Sequence, residues 1–88
     1  MSVFGGGSAY NMASSIADGY IITTELTFKQ FKDPDFQTFL FEADRLLREI
    51  RGNQVATEDT QGAQMRQRRL QRVQHAITVA NSVRQKRR

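Results

Sequence analysis

The chain contains no cysteine and no tryptophan, and only one proline and one histidine. Without cysteine it can form neither a disulfide framework nor a thiolate metal site, which excludes the disulfide-stapled class of small secreted domains. The lone histidine, His75, has no acid in its own predicted helix to orient it, and no acidic pair has the spacing and glycine of a calcium loop. The composition therefore predicts a protein that is not an enzyme and that holds no metal or cofactor.

Long apolar runs are also missing. No window approaches the roughly 18 apolar residues of a membrane-spanning helix. The first basic residue is Lys29, and glycines interrupt the apolar residues before it, so we expect no signal peptide. We expect the protein to be cytoplasmic or virion-associated. At 88 residues it has room for one small domain, whose modest core favours a homo-oligomer or a larger assembly with protein neighbours.

Acidic residues stop at Asp59. The segment 61–88 has eight basic residues and no acid, whereas the first 60 residues have five basic and nine acidic ones, so a charge of +8 follows one of −4. Such a division is typical of a protein whose C-terminal part meets a polyanion or an acidic partner. A helical hairpin that neutralises its own charge would show the same division.

The first 19 residues are rich in Gly, Ser, Ala and Asn, and we find no helical or strand period in them. They are interpreted as a Gly/Ser-rich docking arm at residues 1–19. A disordered tail is the alternative, but a solvated tail would not need its apolar residues. The residues expected to dock on a neighbour are Val3, Phe4, Tyr10, Ile16 and Tyr20.

The opening stretch MSVFGGGSA resembles the glycine-rich starts of short tailed-phage virion proteins, such as head-to-tail and ejected internal components. This resemblance covers fewer than ten residues and implies no functional residue. What it implies is a setting: a structural component of a virion.

Residues 20–32 are predicted to form an extended segment followed by a short turn. The stretch YIITTEL is rich in β-branched residues, which suit an extended chain or one short strand. A single strand is not stable alone, so a strand here would have to be completed by a neighbour. Pro34 ends whatever precedes it.

Residues 33–88 show the helical period twice, which predicts helices at about 34–51 and 60–86. Their apolar stretches are both about 20 Å long at 1.5 Å per residue. The predicted fold is therefore all-α, an antiparallel two-helix hairpin with an extended N-terminal arm. The two stripes are Phe36, Leu40, Ala43, Leu47 and Ile50 in the first helix, and Leu70, Val73, Ile77 and Ala80 in the second.

The hairpin separates two arginine clusters, RQRRLQR at 66–72 and RQKRR at 84–88. It brings the terminal cluster near Asp33 and Asp35, which can partly neutralise its charge. It brings the first cluster to the end of the other helix, which is basic, so this end should carry excess positive charge. The candidate residues for contact with a polyanion or an acidic partner are Arg45, Arg48, Arg51, Arg66, Arg68, Arg69 and Arg72.

Two functions are compatible with these features. The first is a small structural or adaptor protein of a larger assembly, which docks through its arm and presents its arginine-rich helix to a negative surface. The second is a free-standing, weakly sequence-specific nucleic-acid-binding or regulatory protein that acts through phosphate contacts. The second predicted helix contains no aromatic residue that could stack on a base, so base reading is not expected.

Overall fold

The computed structural model describes residues 3–52 and 59–87, and within these ranges it contains helices and no strand. The all-α class is therefore confirmed. The first two residues of MSVFGGGSA and the last arginine of RQKRR lie outside the described residues. The helical segments, in order, are α1 at Ala9–Ala17, a 3₁₀ helix at Glu25–Phe28, α2 at Asp33–Gly52 and α3 at Thr60–Lys86.

Helix α2 forms where the sequence combines a proline in the first turn with a stripe of apolar residues. At its start, the Asp35 carboxylate accepts a hydrogen bond of 2.8 Å from the Lys32 N–H, which anchors the chain entering the helix. The stripe is buried at Phe36, Ala43 and Ile50, among others. Burial of this face, rather than local propensity, supplies most of the helix's stability.

Helix α3 packs against α2. The Asp59 carboxylate accepts from the Gly62 N–H at 2.8 Å and caps its start. Near this start, Arg66 contacts the end of α2, and near its end Arg87 lies over the Phe36 ring at the start of α2. The buried face of α3 consists of Leu70, Val73, Ala76, Ala80 and Val83.

Helix α1 lies where the sequence analysis expects an arm without periodicity. Ser8 caps its start by accepting from the Asn11 N–H at 3.1 Å, and Gly19, at a positive φ of 85°, ends it. Its buried face follows the helical spacing and packs on both α2 and α3. The expectation failed because three of the five buried residues are alanines, which read as part of a flexible composition. That face consists of Ala9, Met12, Ala13, Ile16 and Ala17.

The 3₁₀ helix carries the centre of an aromatic cluster. Phe28 lies edge-on to Phe31 with ring centroids 5.1 Å apart, and to Phe39 at 5.2 Å. Phe31 also meets Phe36 at 5.2 Å and, from the N-terminal segment, Phe4 at 5.3 Å. Such edge-to-face pairs add about 0.5–1.5 kcal/mol each beyond area burial. The cluster joins the N-terminal segment at Phe4 and the 3₁₀ region to α2.

The two-helix hairpin is thus an incomplete account of the core, because α1 and the 3₁₀ helix also pack on it. Between α1 and the 3₁₀ helix, residues 20–24 form neither a helix nor a strand. None of the helices described is both long and apolar enough to cross a bilayer.

Candidate interaction surface along α3

Arg66 caps the end of α2. Its Nε donates to the Ile50 carbonyl at 3.1 Å, and its Nη2 donates to the Arg51 carbonyl at 3.0 Å. The last carbonyls of a helix have no partner within the helix and form the negative end of its dipole, so a guanidinium is favourable there. Arg66 was predicted to contact a partner, but two of its donor groups bond its own chain.

Arg72 caps the end of α1 in the same way. Its Nη1 donates to the Ala17 carbonyl at 3.0 Å. Its guanidinium lies against Gly19, where an added Cβ would be 3.2 Å from the Arg72 Cζ. Gly19 therefore serves two purposes: it adopts the positive φ that ends α1, and it leaves room for the arginine.

Arg69 and Arg68 differ although they are adjacent. The Arg69 Nε lies 3.3 Å from Oδ1 of Asp18, an ion-pair distance, yet it is buried and makes no hydrogen bond with the described residues. Arg68 is exposed and has neither a hydrogen bond nor an ion pair in the part of the chain that the structure describes. Of the four arginines at 66–72, Arg68 is the one with neither a hydrogen bond nor an ion pair among the described residues.

The arginines of α2 are partly neutralised within their own helix. Arg45 lies 3.5 Å from Glu42 and 3.4 Å from Glu49, and Arg48 lies 2.7 Å from Asp44. These pairs are exposed, so each is worth less than about 1 kcal/mol. They nevertheless occupy two of the three α2 arginines. The exposed Arg51 side chain has no partner among the described residues.

Two residues of the C-terminal cluster, Lys86 and Arg87, have partners within the described chain, and these partners are not Asp33 or Asp35. Arg87 donates to the carbonyls of Phe28 at 2.7 Å and Lys29 at 2.8 Å, and also to that of Phe31. These carbonyls lie at the end of the 3₁₀ helix and just after it. That an arginine would cap this helix was not predicted from the sequence. Beside it, Lys86 forms an ion pair of 2.6 Å with Glu25, again on the 3₁₀ helix.

The residues predicted to dock on a neighbour lie in different settings. Ile16 is only 2% exposed and belongs to the chain's own core. Val3 and Phe4 are partly buried against that core. The Tyr10 hydroxyl donates to the Glu49 carboxylate at 2.7 Å. Tyr20 is 83% exposed, and among the five it is the one with a freely accessible side chain.

Tyr20 belongs to a larger apolar surface between α1 and the 3₁₀ helix. Ile22 is as exposed as Tyr20, and Leu26 is 75% exposed, whereas Thr23 between them is buried. The Ile22 N–H and both backbone groups of Thr23 form no hydrogen bond within the described ranges, and neither does the Thr23 hydroxyl. The segment therefore has unpaired backbone groups beside exposed apolar side chains.

Two depressions follow α3 along this segment and meet at Arg72. The first, called the apolar depression, has a volume of about 310 Å³ and lies between Ile16, Ile21, Ile22 and Thr23 on one side and Arg72 and His75 on the other. The second, called the basic depression, has a volume of about 220 Å³ and is lined by Asp18, Met65, Arg68, Arg69 and Arg72.

The groove combines apolar side chains with an excess of positive charge. No group of three or more His, Cys, Asp or Glu side chains able to hold a metal ion occurs among the described residues. His75 lines the apolar depression, and Asp18 is the one acid that lines the basic depression. Three guanidinium groups against one carboxylate make this half of the groove positive.

The pKa of Tyr10 is perturbed by its contact with α2. Its hydrogen bond to Glu49, and to a smaller extent burial and the Glu49 charge, raise the pKa of the Tyr10 phenol above its ordinary value. Arg45 lies over the same ring, with its Cζ 5.5 Å from the ring centroid. The contact between Tyr10 and Glu49 joins α1 to α2 and does not belong to the groove.

Several groove residues were not predicted from the sequence: Ile22, Met65 and Asp18. Ile22 was treated as part of a β-branched stretch, and its outward orientation follows from the burial of Thr23 next to it. Met65 is 62% exposed on the face of α3 that also carries Arg68 and Arg72. Its spacing of three and seven residues from those arginines was the available signal.

The comparisons with known proteins identify no relative. No protein-family model matches the chain, and neither the curated proteins nor the solved structures contain a match.

Proposed function

We propose that this chain is a non-enzymatic structural or adaptor protein of a larger assembly, which binds a negatively charged protein surface through the groove along α3. The observation that carries the proposal is Arg68. It is exposed and lacks a partner among the described residues, and it stands beside the exposed apolar side chain of Met65 in a depression with an excess of positive charge. An uncompensated cation beside apolar surface favours an acidic protein partner.

Docking is assigned to the segment between α1 and the 3₁₀ helix rather than to the whole arm. Ile16 contributes to the chain's own core, so Tyr20, Ile22 and Leu26 take its place as the exposed apolar contacts. The unpaired N–H of the exposed residue Ile22 supports the prediction that a neighbour completes a short strand here. In this proposal, α2 and α3 form the hairpin that holds the docking segment in place.

The setting proposed for this assembly is a phage virion, as the resemblance of the N-terminal stretch implies. Association with copies of the same chain or with other virion components fits the small core. A cytoplasmic adaptor with the same groove would act by the same chemistry.

Site-specific photocrosslinking in the protein's natural source tests the proposal. A photoreactive phenylalanine analogue is placed at Tyr20, Ile22 or Met65, and for control at Phe41, which is exposed on α2 outside the groove. We expect protein adducts from the three groove positions and not from Phe41, together with a native mass above the 10.1 kDa of one chain. A native mass of one chain without adducts would overturn the proposal.

Nucleic-acid binding is the second candidate, favoured by the +8 charge of residues 61–88. Its test is a salt titration of binding to non-specific DNA and RNA. Phosphate contacts would give a steep loss of affinity with salt, and Arg68→Gln would reduce the slope by about one. A flat response at low salt would exclude this candidate.

A further inference from the structure

We propose that the groove binds an extended segment of a partner protein, with an aliphatic side chain in the apolar depression and a carboxylate in the basic depression. This inference rests on the proposed function and names the chemistry of its partner.

Arg68 and Arg72 place two positive charges side by side on α3. They are four residues apart on α3, so their side chains are neighbours on one helix face, and like charges at this spacing repel. Arg72 uses one donor on the Ala17 carbonyl, and a guanidinium has five. Arg68 uses none among the described residues. A carboxylate between them relieves the repulsion and accepts charge-assisted hydrogen bonds from both.

Asp18 does not already fill this role. It lies 3.3 Å from the Arg69 Nε without forming a hydrogen bond, and its side chain remains 43% exposed. With three arginines and one aspartate, the basic depression keeps a charge of about +2. The complementary occupant therefore carries negative charge.

The apolar half of the groove favours a protein over a nucleic acid as the ligand. The apolar depression continues directly from the basic one at Arg72, and it offers Ile21 and Ile22 to an aliphatic side chain. Beside it, the N–H of the exposed residue Ile22 forms no hydrogen bond within the described ranges and can pair with an extended chain. A phosphate backbone would use neither feature. It would also need a continuous track of free cations, and Arg45 and Arg48 on α2 are paired with acids.

The distance between the two depressions along α3 limits the spacing of the ligand's side chains. Arg68 and His75 are seven residues apart on α3, which corresponds to about 10 Å along the helix axis. An extended peptide covers this distance in roughly three residues at about 3.3 Å each. The acidic and the aliphatic residue of the partner should therefore be separated by two to four positions.

Binding of defined peptides to the purified full chain tests the inference. The probes are fluorescent, end-capped octapeptides of Ser and Gly with one Leu and one Glu, two to four positions apart and in both orders. We expect saturable binding for at least one spacing, measured by fluorescence anisotropy. Replacing its Glu by Gln should weaken binding at least tenfold, and so should Arg68→Gln or Ile22→Ser in the protein.

Two controls keep the result interpretable. Arg48→Gln removes another exposed arginine of the same chain and should leave the affinity unchanged, and Arg68→Lys should give an intermediate loss because it keeps the charge but not the fork. The inference is overturned if no peptide binds saturably, if the Glu and Gln peptides bind equally, or if Arg48→Gln costs as much as Arg68→Gln. It is also overturned if a 20-nucleotide RNA or DNA displaces the peptide at low micromolar concentration.

A second copy of the chain is the remaining occupant. Mass measured by light scattering between about 5 and 200 μM would reveal it, and a dimer abolished by Ile22→Ser would overturn the peptide inference. Photocrosslinks to a partner protein, combined with failure of every peptide, would overturn the groove chemistry and leave the proposed function standing.

Discussion

The two ends of α3 carry the same residue type in different environments. At the C-terminal end, Arg87 is surrounded by three backbone carbonyls of the 3₁₀ region and lies over an aromatic ring, and Lys86 has an acid. At the N-terminal end, Arg66 and Arg72 cap helices, but Arg68 between them has no partner in the described chain. The difference shows that the fold divides an arginine cluster into residues that contact their own chain and residues that form neither a hydrogen bond nor an ion pair with the described chain.

The largest effect is expected at the C-terminal end. Arg87→Gln removes charge-assisted hydrogen bonds to the Phe28 and Lys29 carbonyls and the contact with the Phe36 ring. We expect a loss of about 2 kcal/mol in the free energy of unfolding, measured by urea denaturation. Lys86→Gln beside it removes only an exposed ion pair and should cost less than about 1 kcal/mol. Equal losses for the two variants would contradict the structural role of Arg87.

The second effect concerns the cap of α1 at the N-terminal end. Gly19→Ala places a Cβ at a positive φ and 3.2 Å from the Arg72 guanidinium. The left-handed backbone alone should cost about 1 kcal/mol or more, and the arginine must also shift. Gly7 has a similar φ with open space around it, so Gly7→Ala separates the backbone cost from the displacement of Arg72. A smaller loss for Gly19→Ala than for Gly7→Ala would count against the close approach.

A smaller, pH-dependent effect is expected from Tyr10, which joins α1 to α2. Because the hydrogen bond to Glu49 raises the pKa of Tyr10 above its unfolded value, the stabilisation is complete below about pH 10 and is lost as the pH rises through the folded pKa. Tyr10→Phe should therefore destabilise the protein at pH 7 and flatten the decline in stability above pH 10, measured as urea midpoints. Tyr20→Phe removes an exposed hydroxyl and should retain the wild-type profile. A Tyr10→Phe profile parallel to the wild type would refute the linkage.

The sequence was sufficient to predict the parts of the fold in which large apolar residues form the buried face. The stripes around Phe36 and Leu70 predicted two long helices, because Phe, Leu and Ile at helical spacing have few other uses. It was insufficient for α1, since Ala9, Ala13 and Ala17 are small enough to belong to a helix face or to a flexible arm. Packing of this segment on both α2 and α3 decides between the two.

The site was predictable only as a region of charge. The sequence indicated excess positive charge at residues 66–72, but it could not say which arginines would be used by the chain itself. That depends on where helix ends fall in space: Arg66 meets the end of α2, and Arg72 the end of α1, 55 residues away. The exposure of Ile22 could likewise not be predicted, because the sequence does not show that its neighbour Thr23 points inward.

The most direct test of this division compares Arg66→Gln with Arg68→Gln in urea denaturation at neutral pH. The two residues lie two positions apart on the same helix, but only Arg66 donates to carbonyls, at the end of α2. We predict that Arg66→Gln lowers the free energy of unfolding by about 1 kcal/mol or more, and that Arg68→Gln changes it by less than about 0.5 kcal/mol. Equal losses, or a larger loss for Arg68→Gln, would contradict the assignment of Arg68 to a partner.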